Sequence, residues 1–123
     1  MKMVYADSTT PIRALFMGSM TGEWYSASEE ERHDRILPRF FQLMEEWKGI
    51  GAKTLATIDD DLLMVGQPQF TGSTFYLIFE VSGVDEVAKM IQRIRETVDG
   101  VRLDKYMRWE ARVGRPFFLL EPR

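Results

Sequence analysis

The segment Phe75 to Val81, Phe-Tyr-Leu-Ile-Phe-Glu-Val, constrains the fold most. Its aromatic and β-branched content predicts a strand, and the period of two divides it into unlike faces. Phe75, Leu77, Phe79 and Val81 make one wholly apolar face, while Tyr76, Ile78 and Glu80 share the other. An apolar strand face needs a covering layer. Two helical stripes supply it: Ile36, Leu37, Phe40, Met44 and Trp47, then Val84, Val87, Ala88, Ile91, Ile94 and Val98.

The helices have their own start and stop signals. Ser28 and Glu31 have capping-box spacing, as do Ser82 and Asp85, and Gly49 and Gly100 are the expected stops. Pro38 interrupts the first stripe. It removes a donor to the carbonyl of Asp34 and crowds that carbonyl, which predicts a kink or split over residues 34–38. Further strands are expected at Ile12 to Met17, closed by Gly18, at Lys53 to Ile58 and at Arg102 to Val113. A short returning strand at Leu62 to Val65 precedes the Gly66-Gln67-Pro68 breaker, and Ser19 to Ala27 reads as a loop.

The resulting order, β-α-β-(β)-β-α-β, predicts an α+β, ferredoxin-like β-α-β-β-α-β sandwich. Its four-stranded antiparallel sheet carries both helices on one face, with the first strand between the third and fourth. The 123 residues suit a single domain, with a polar lead over 1–11 and a tail over 114–123. The net charge of -3 gives no basic stripe for nucleic acid. No run approaches the 18 or so apolar residues of a membrane span, no hydrophobic signal core opens the chain, and Cys is absent. A cytoplasmic protein without disulfides is expected.

The uncovered sheet face is mixed. Tyr76, Ile78, Glu80, Tyr106 and Arg108 would be joined there by Arg13, Leu15 and Met17. Left open, it exposes several large apolar groups. Covered by a twin sheet it becomes an interior in which Arg13 and Arg108 pair with Glu80 or Glu110, so a homodimer is expected. These charges serve either as structural ion pairs or as a ligand site. In the second case Arg13, Arg108 and Tyr76 bind substrate, and Glu80, Tyr106 and His33 are the candidates for proton transfer.

His33, the single His, sits one turn before the Pro38 break; it is either a surface helix residue or a base lining a cleft. Trp24 and Tyr25, in the Gly-flanked loop, are either a binding lid or ordinary packing. Asp59-Asp60-Asp61 lacks the spacing and Gly of a calcium loop and reads as a turn. No metal and no cofactor are expected.

Several segments together resemble the darcynin family: Thr21 to Tyr25, Glu30 to Arg32, Asp59 to Gly66, Phe75-Tyr76, and Tyr106-Met107-Arg108-Trp109-Glu110-Ala111-Arg112-Val113-Gly114-Arg115-Pro116. Darcynins are small bacterial proteins, and a similar small accessory protein accompanies bacterial indole-3-acetic acid degradation genes. The topology also resembles the dimeric α/β-barrel superfamily, which includes cofactor-independent monooxygenases, muconolactone-type isomerases and haem-binding members. The resemblances imply a small aromatic-acid-binding protein, an enzyme of that kind in aromatic catabolism. A non-catalytic binding or accessory module is the alternative, and haem binding a third.

Overall fold

The structure, a computed structural model, describes residues 11–66 and 73–121. Strand β1 (Ile12–Met20) leads into a short helix α1 (Gly22–Ser26). Helix α2 (Glu29–Glu31), a π-helical turn (Arg32–Ile36) and α3 (Leu37–Ile50) then follow without interruption. Next come β2 (Lys53–Asp59), β3 (Phe75–Val81), α4 (Val84–Arg95), α5 (Leu103–Tyr106) and β4 (Met107–Gly114). The strands form one antiparallel sheet in the order β2-β3-β1-β4, with β1 between β3 and β4 as expected. Four expected strands, two main helices and their order are therefore present.

Pro38 is accommodated by widening. The amide of Leu37 donates to the carbonyl of Arg32, five residues back, so the turn before the proline is π and no full break is needed. The Ser28 cap forms as its spacing predicts, its hydroxyl accepting from the amide of Glu31 at 3.0 Å.

Several boundaries differ from expectation. Gly18 continues β1 instead of closing it, because the sheet needs its missing side chain: a Cβ there would lie 2.3 Å from the Arg108 carbonyl and 2.6 Å from the Phe75 ring. Helix α3 passes Gly49 and closes on Gly51, whose φ of 109° suits glycine. Gly83, not Ser82, caps α4, and no side chain contributes. That helix ends at Arg95, short of Val98, because Val98 and Val101 bridge each other through two 2.9 Å bonds around a tight turn. Leu62 to Val65 forms no strand and stands in water, Leu62 95% and Val65 86% exposed. Gln67 and Pro68, and residues 1–10 of the polar lead, lie outside the described residues.

The core lies between the helices and one sheet face. Phe16 meets Trp47 at 4.5 Å and Phe79 at 6.1 Å between ring centroids, with Leu43, Met90 and Ile94 packed in the same cluster. Behind it, register sets the open face in cross-strand rows: Lys53, Glu80, Arg13, Gly114; then Ala56, Ile78, Leu15, Arg112; then Ile58, Tyr76, Met17, Glu110. Among the described residues no helix is long and apolar enough to cross a membrane.

Candidate functional site: a cleft between the second long helix and the edge strand

Edge strand β4 and the last turn of α4 enclose a cleft of about 420 Å³. Its apolar wall is built from both sides. Ile91 and Ile94 come from the buried stripe of α4, Phe16 from β1, and Met107 and Trp109 from β4. Trp109 is the centre of an aromatic cluster, stacked on Phe40 at 6.3 Å and edge-on to Phe75 at 5.4 Å. These contacts fix the indole before any ligand arrives. Its Nε1 donor is shut off from solvent and has no acceptor among the described residues.

The rim is charged. Arg95, Arg108, Asp104, Glu110 and Thr21 supply its polar groups. Asp104 is already held by Arg102 through bonds of 2.6 and 2.9 Å, which raises the Arg102 guanidinium above its ordinary value. Two arginines, Arg95 and Arg108, line the cleft with two carboxylates, Asp104 and Glu110, and Arg95 makes no ion pair with any described residue. An apolar slot with aromatic walls and the Arg95 guanidinium at its rim suits a small amphipathic anion.

The expected site residues are scattered. Arg108 is among the β4 residues that line the cleft, but the register places it on the same side of the sheet as Arg13, Tyr76 and Glu80, the open face expected for it, at the edge of the sheet. Arg13 is held by Glu121 through two bonds of 2.5 and 2.7 Å, not by Glu80 or Glu110. Tyr76 donates its hydroxyl toward Asp60 at 2.9 Å, and this hydrogen bond raises its pKa. Tyr106 leaves the expected strand for α5: Thr21 holds this corner, its amide bonded to the Tyr106 carbonyl and its hydroxyl to that of Lys105. The Tyr106 ring packs against the core instead of sharing the open face.

Trp24 and Tyr25 sit on α1, where Arg32 donates to both carbonyls at 2.9 and 2.8 Å. Trp24 packs on the core and Tyr25 is exposed. His33 is exposed on the π turn, 3.9 Å from Glu29, and does not line the cleft. This position does not fit an axial haem ligand in the cleft. Among the described residues no group of three metal-ligating side chains comes together.

Arg95 was not singled out from the sequence, and Ile91 and Ile94 were read only as part of the helical core stripe. The signal was present: the apolar stripe of α4 ends at Ile94, and a basic residue follows it at the helix terminus.

No family model matches the chain, and no curated relative matches it. The structure is similar to that of a chlorite dismutase-like protein at 15% sequence identity and a TM-score of 0.56. The likeness covers 85% of this chain and 44% of the other, so the chain spans less than half of that protein's length. At this identity the likeness concerns the fold alone, and it agrees with the expected ferredoxin-like α+β arrangement of a four-stranded antiparallel sheet with helices.

Proposed function

We propose that the protein binds a small aromatic acid in the α4–β4 cleft. The ring lies against Trp109, Phe16 and Ile94, and the carboxylate meets Arg95 and Arg108. The observation that carries this reading is the pairing of an aromatic wall with Arg95, which makes no ion pair with a described residue, in one cleft. The buried Nε1 of Trp109, without an acceptor among the described residues, is a donor that a ligand oxygen would satisfy. The run from Tyr106 to Pro116, which resembles the darcynin family, contributes five lining residues, from Met107 to Ala111. A role beside indole-3-acetate-type catabolism is consistent with a ligand of this class.

Binding is favoured over turnover by position. A cofactor-independent monooxygenase or an isomerase needs a proton-moving group at its ligand. His33, Glu80 and Tyr106 do not line the cleft, and of its two carboxylates Asp104 is held by Arg102 while Glu110 alternates with Trp109 toward the open-face side. We therefore read the protein as a binding or accessory module, working as a homodimer through the open sheet face. Leu15, Met17, Tyr76 and Ile78 are half-buried there, interleaved with charges of both signs that a two-fold axis can set against each other.

Thermal-shift measurements with benzoate, phenylacetate and indole-3-acetate test the binding reading. A ligand that binds only the folded state raises the melting temperature with concentration. Arg95→Gln should abolish most of that rise. No rise with any of the three acids would overturn the reading.

A further inference from the structure

Strand β2 is the least covered strand of the sheet. It lies at one edge and, among the described residues, pairs only with β3, so its outer backbone groups face away from the sheet. All seven residues, Lys53–Asp59, are exposed, toward the helices as well as on the open face. A bulge interrupts its pairing at Leu55, after which Ala56 to Asp59 run in unbroken register with β3. Ala56 and Ile58 share the open face with their partners Ile78 and Tyr76, and Thr57 lies on the helix side with Leu77.

The two ends of β2 carry unlike surfaces. At its far end Asp60 is fixed to the sheet: its carboxylate accepts from the Tyr76 hydroxyl at 2.9 Å, and its amide donates to the Thr74 carbonyl at 3.1 Å. The chain leaves the sheet from that point, and the apolar run Leu62 to Val65 stands in water directly after the exposed Asp61. At its near end β2 and the end of α3 enclose a groove of about 610 Å³. Met44, Ala52 and Phe79 give it apolar walls, and its charged groups are Lys48, Lys53 and Glu45. Lys48, Lys53 and Asp61 form no ion pair with a described residue. An acidic-apolar segment and an apolar groove with two lysines against one carboxylate therefore lie at opposite ends of one exposed edge.

We propose that a second copy of this chain adds to β2 edge to edge, antiparallel, about a two-fold axis through Thr57. Such an axis, perpendicular to the sheet, sets like faces side by side and joins the two four-stranded sheets into one. Thr57 then meets its own copy and Ala56 meets Ile58, each pair on a matching face. The same register sets Lys53 beside Asp61 of the second copy. Beyond the strand, Leu62 to Val65 of each copy reaches the α3–β2 groove of the other, where Lys48 and Lys53 meet its acidic lead. One arrangement thus satisfies the edge backbone, the apolar run and the two lysines together. Exposed charge pairs contribute little affinity and serve here to fix the register. The contact is separate from the α4–β4 cleft and leaves the open face of both copies uncovered, so it rests on neither reading above.

Disulfide cross-linking of the intact chain tests the edge, since the sequence has no Cys and a single introduced thiol can link only to a second copy. Thr57→Cys should form linked dimers under mild oxidation about tenfold faster than Lys89→Cys, an exposed position on α4. Lys53→Glu added to Thr57→Cys should slow the linkage, and Asp61→Lys added to both should restore it. All of these positions are exposed, and melting temperature checks that each variant is folded. Met17→Lys, which charges the open face, should leave the Thr57→Cys linkage unchanged in folded protein. Linkage no faster than that of Lys89→Cys, no effect of Lys53→Glu, or no recovery with Asp61→Lys overturns the proposal. Loss of the linkage in folded Met17→Lys also overturns it, because the open face would then be what brings the copies together.

Discussion

The indole Nε1 of Trp47 donates to the backbone carbonyl of Met90 at 3.0 Å, tying α3 to α4 at the centre of the core. Both residues are fully buried, and the same ring touches Phe16 and Phe79. Trp47→Ala removes the largest fully buried side chain and should cost about 3–5 kcal/mol in urea unfolding. Trp47→Phe keeps much of the packing and should cost roughly half as much.

Arg39 is only 3% exposed and is held there by Glu46, which it meets at 3.1 and 3.3 Å. Arg93 holds the same carboxylate at 2.9 Å and also pairs with Glu96. Glu46→Ala should cost about 3 kcal/mol, because it strands a buried guanidinium. Glu46→Gln keeps an acceptor and should cost less, a difference that denaturation of both variants will show.

The same carboxylate gives a pH dependence. Hydrogen bonds from Arg93, then Arg39, hold the Glu46 carboxyl below its ordinary value. A depressed carboxylate contributes stability that is full above its unfolded value and is lost as pH falls through the folded one. Stability should therefore fall on acidification below the ordinary carboxylate range, and Glu46→Gln should flatten that fall.

Gly18 is a backbone position with no room. The approach of the Arg108 carbonyl and the Phe75 ring means that Gly18→Ala must push β4 and β3 aside. A loss of about 1–3 kcal/mol is expected from overpacking, read as a lower melting temperature. Because Arg108 and Trp109 flank the cleft, the variant should also weaken ligand binding beyond its effect on folding.

The strands and main helices were legible because their side-chain periods differ and their faces are cleanly apolar, as in Phe75 to Val81. The last strand shows where that signal fails. Leu103 and Met107 are four residues apart, so they share a face in either a strand or a helical turn. Both are buried, and the bonds that select α5 are local, from the amides of Lys105 and Met107 to the carbonyls of Arg102 and Leu103, together with the tie from Thr21 to the Lys105 and Tyr106 carbonyls. Leu62 to Val65 failed differently: apolar content alone implied a strand, but nothing in the described sheet pairs with it. The cleft was half-legible. Arg108 could be singled out as a clamp, but its neighbour Arg95 comes from α4, and only tertiary packing brings the two to one rim.

Titration of intrinsic fluorescence with indole-free aromatic acids tests the central claim most directly, since Trp109 forms the cleft wall. Benzoate and phenylacetate should change the emission of the wild type in a saturable way, and Trp109→Phe should remove most of the change while Trp24→Phe keeps it. Arg95→Gln should weaken the affinity about tenfold or more, the scale of a lost charged hydrogen bond. Binding that is unaltered in a folded Arg95→Gln variant, or emission that never saturates up to millimolar acid, would contradict the assignment of this cleft as an aromatic-acid site.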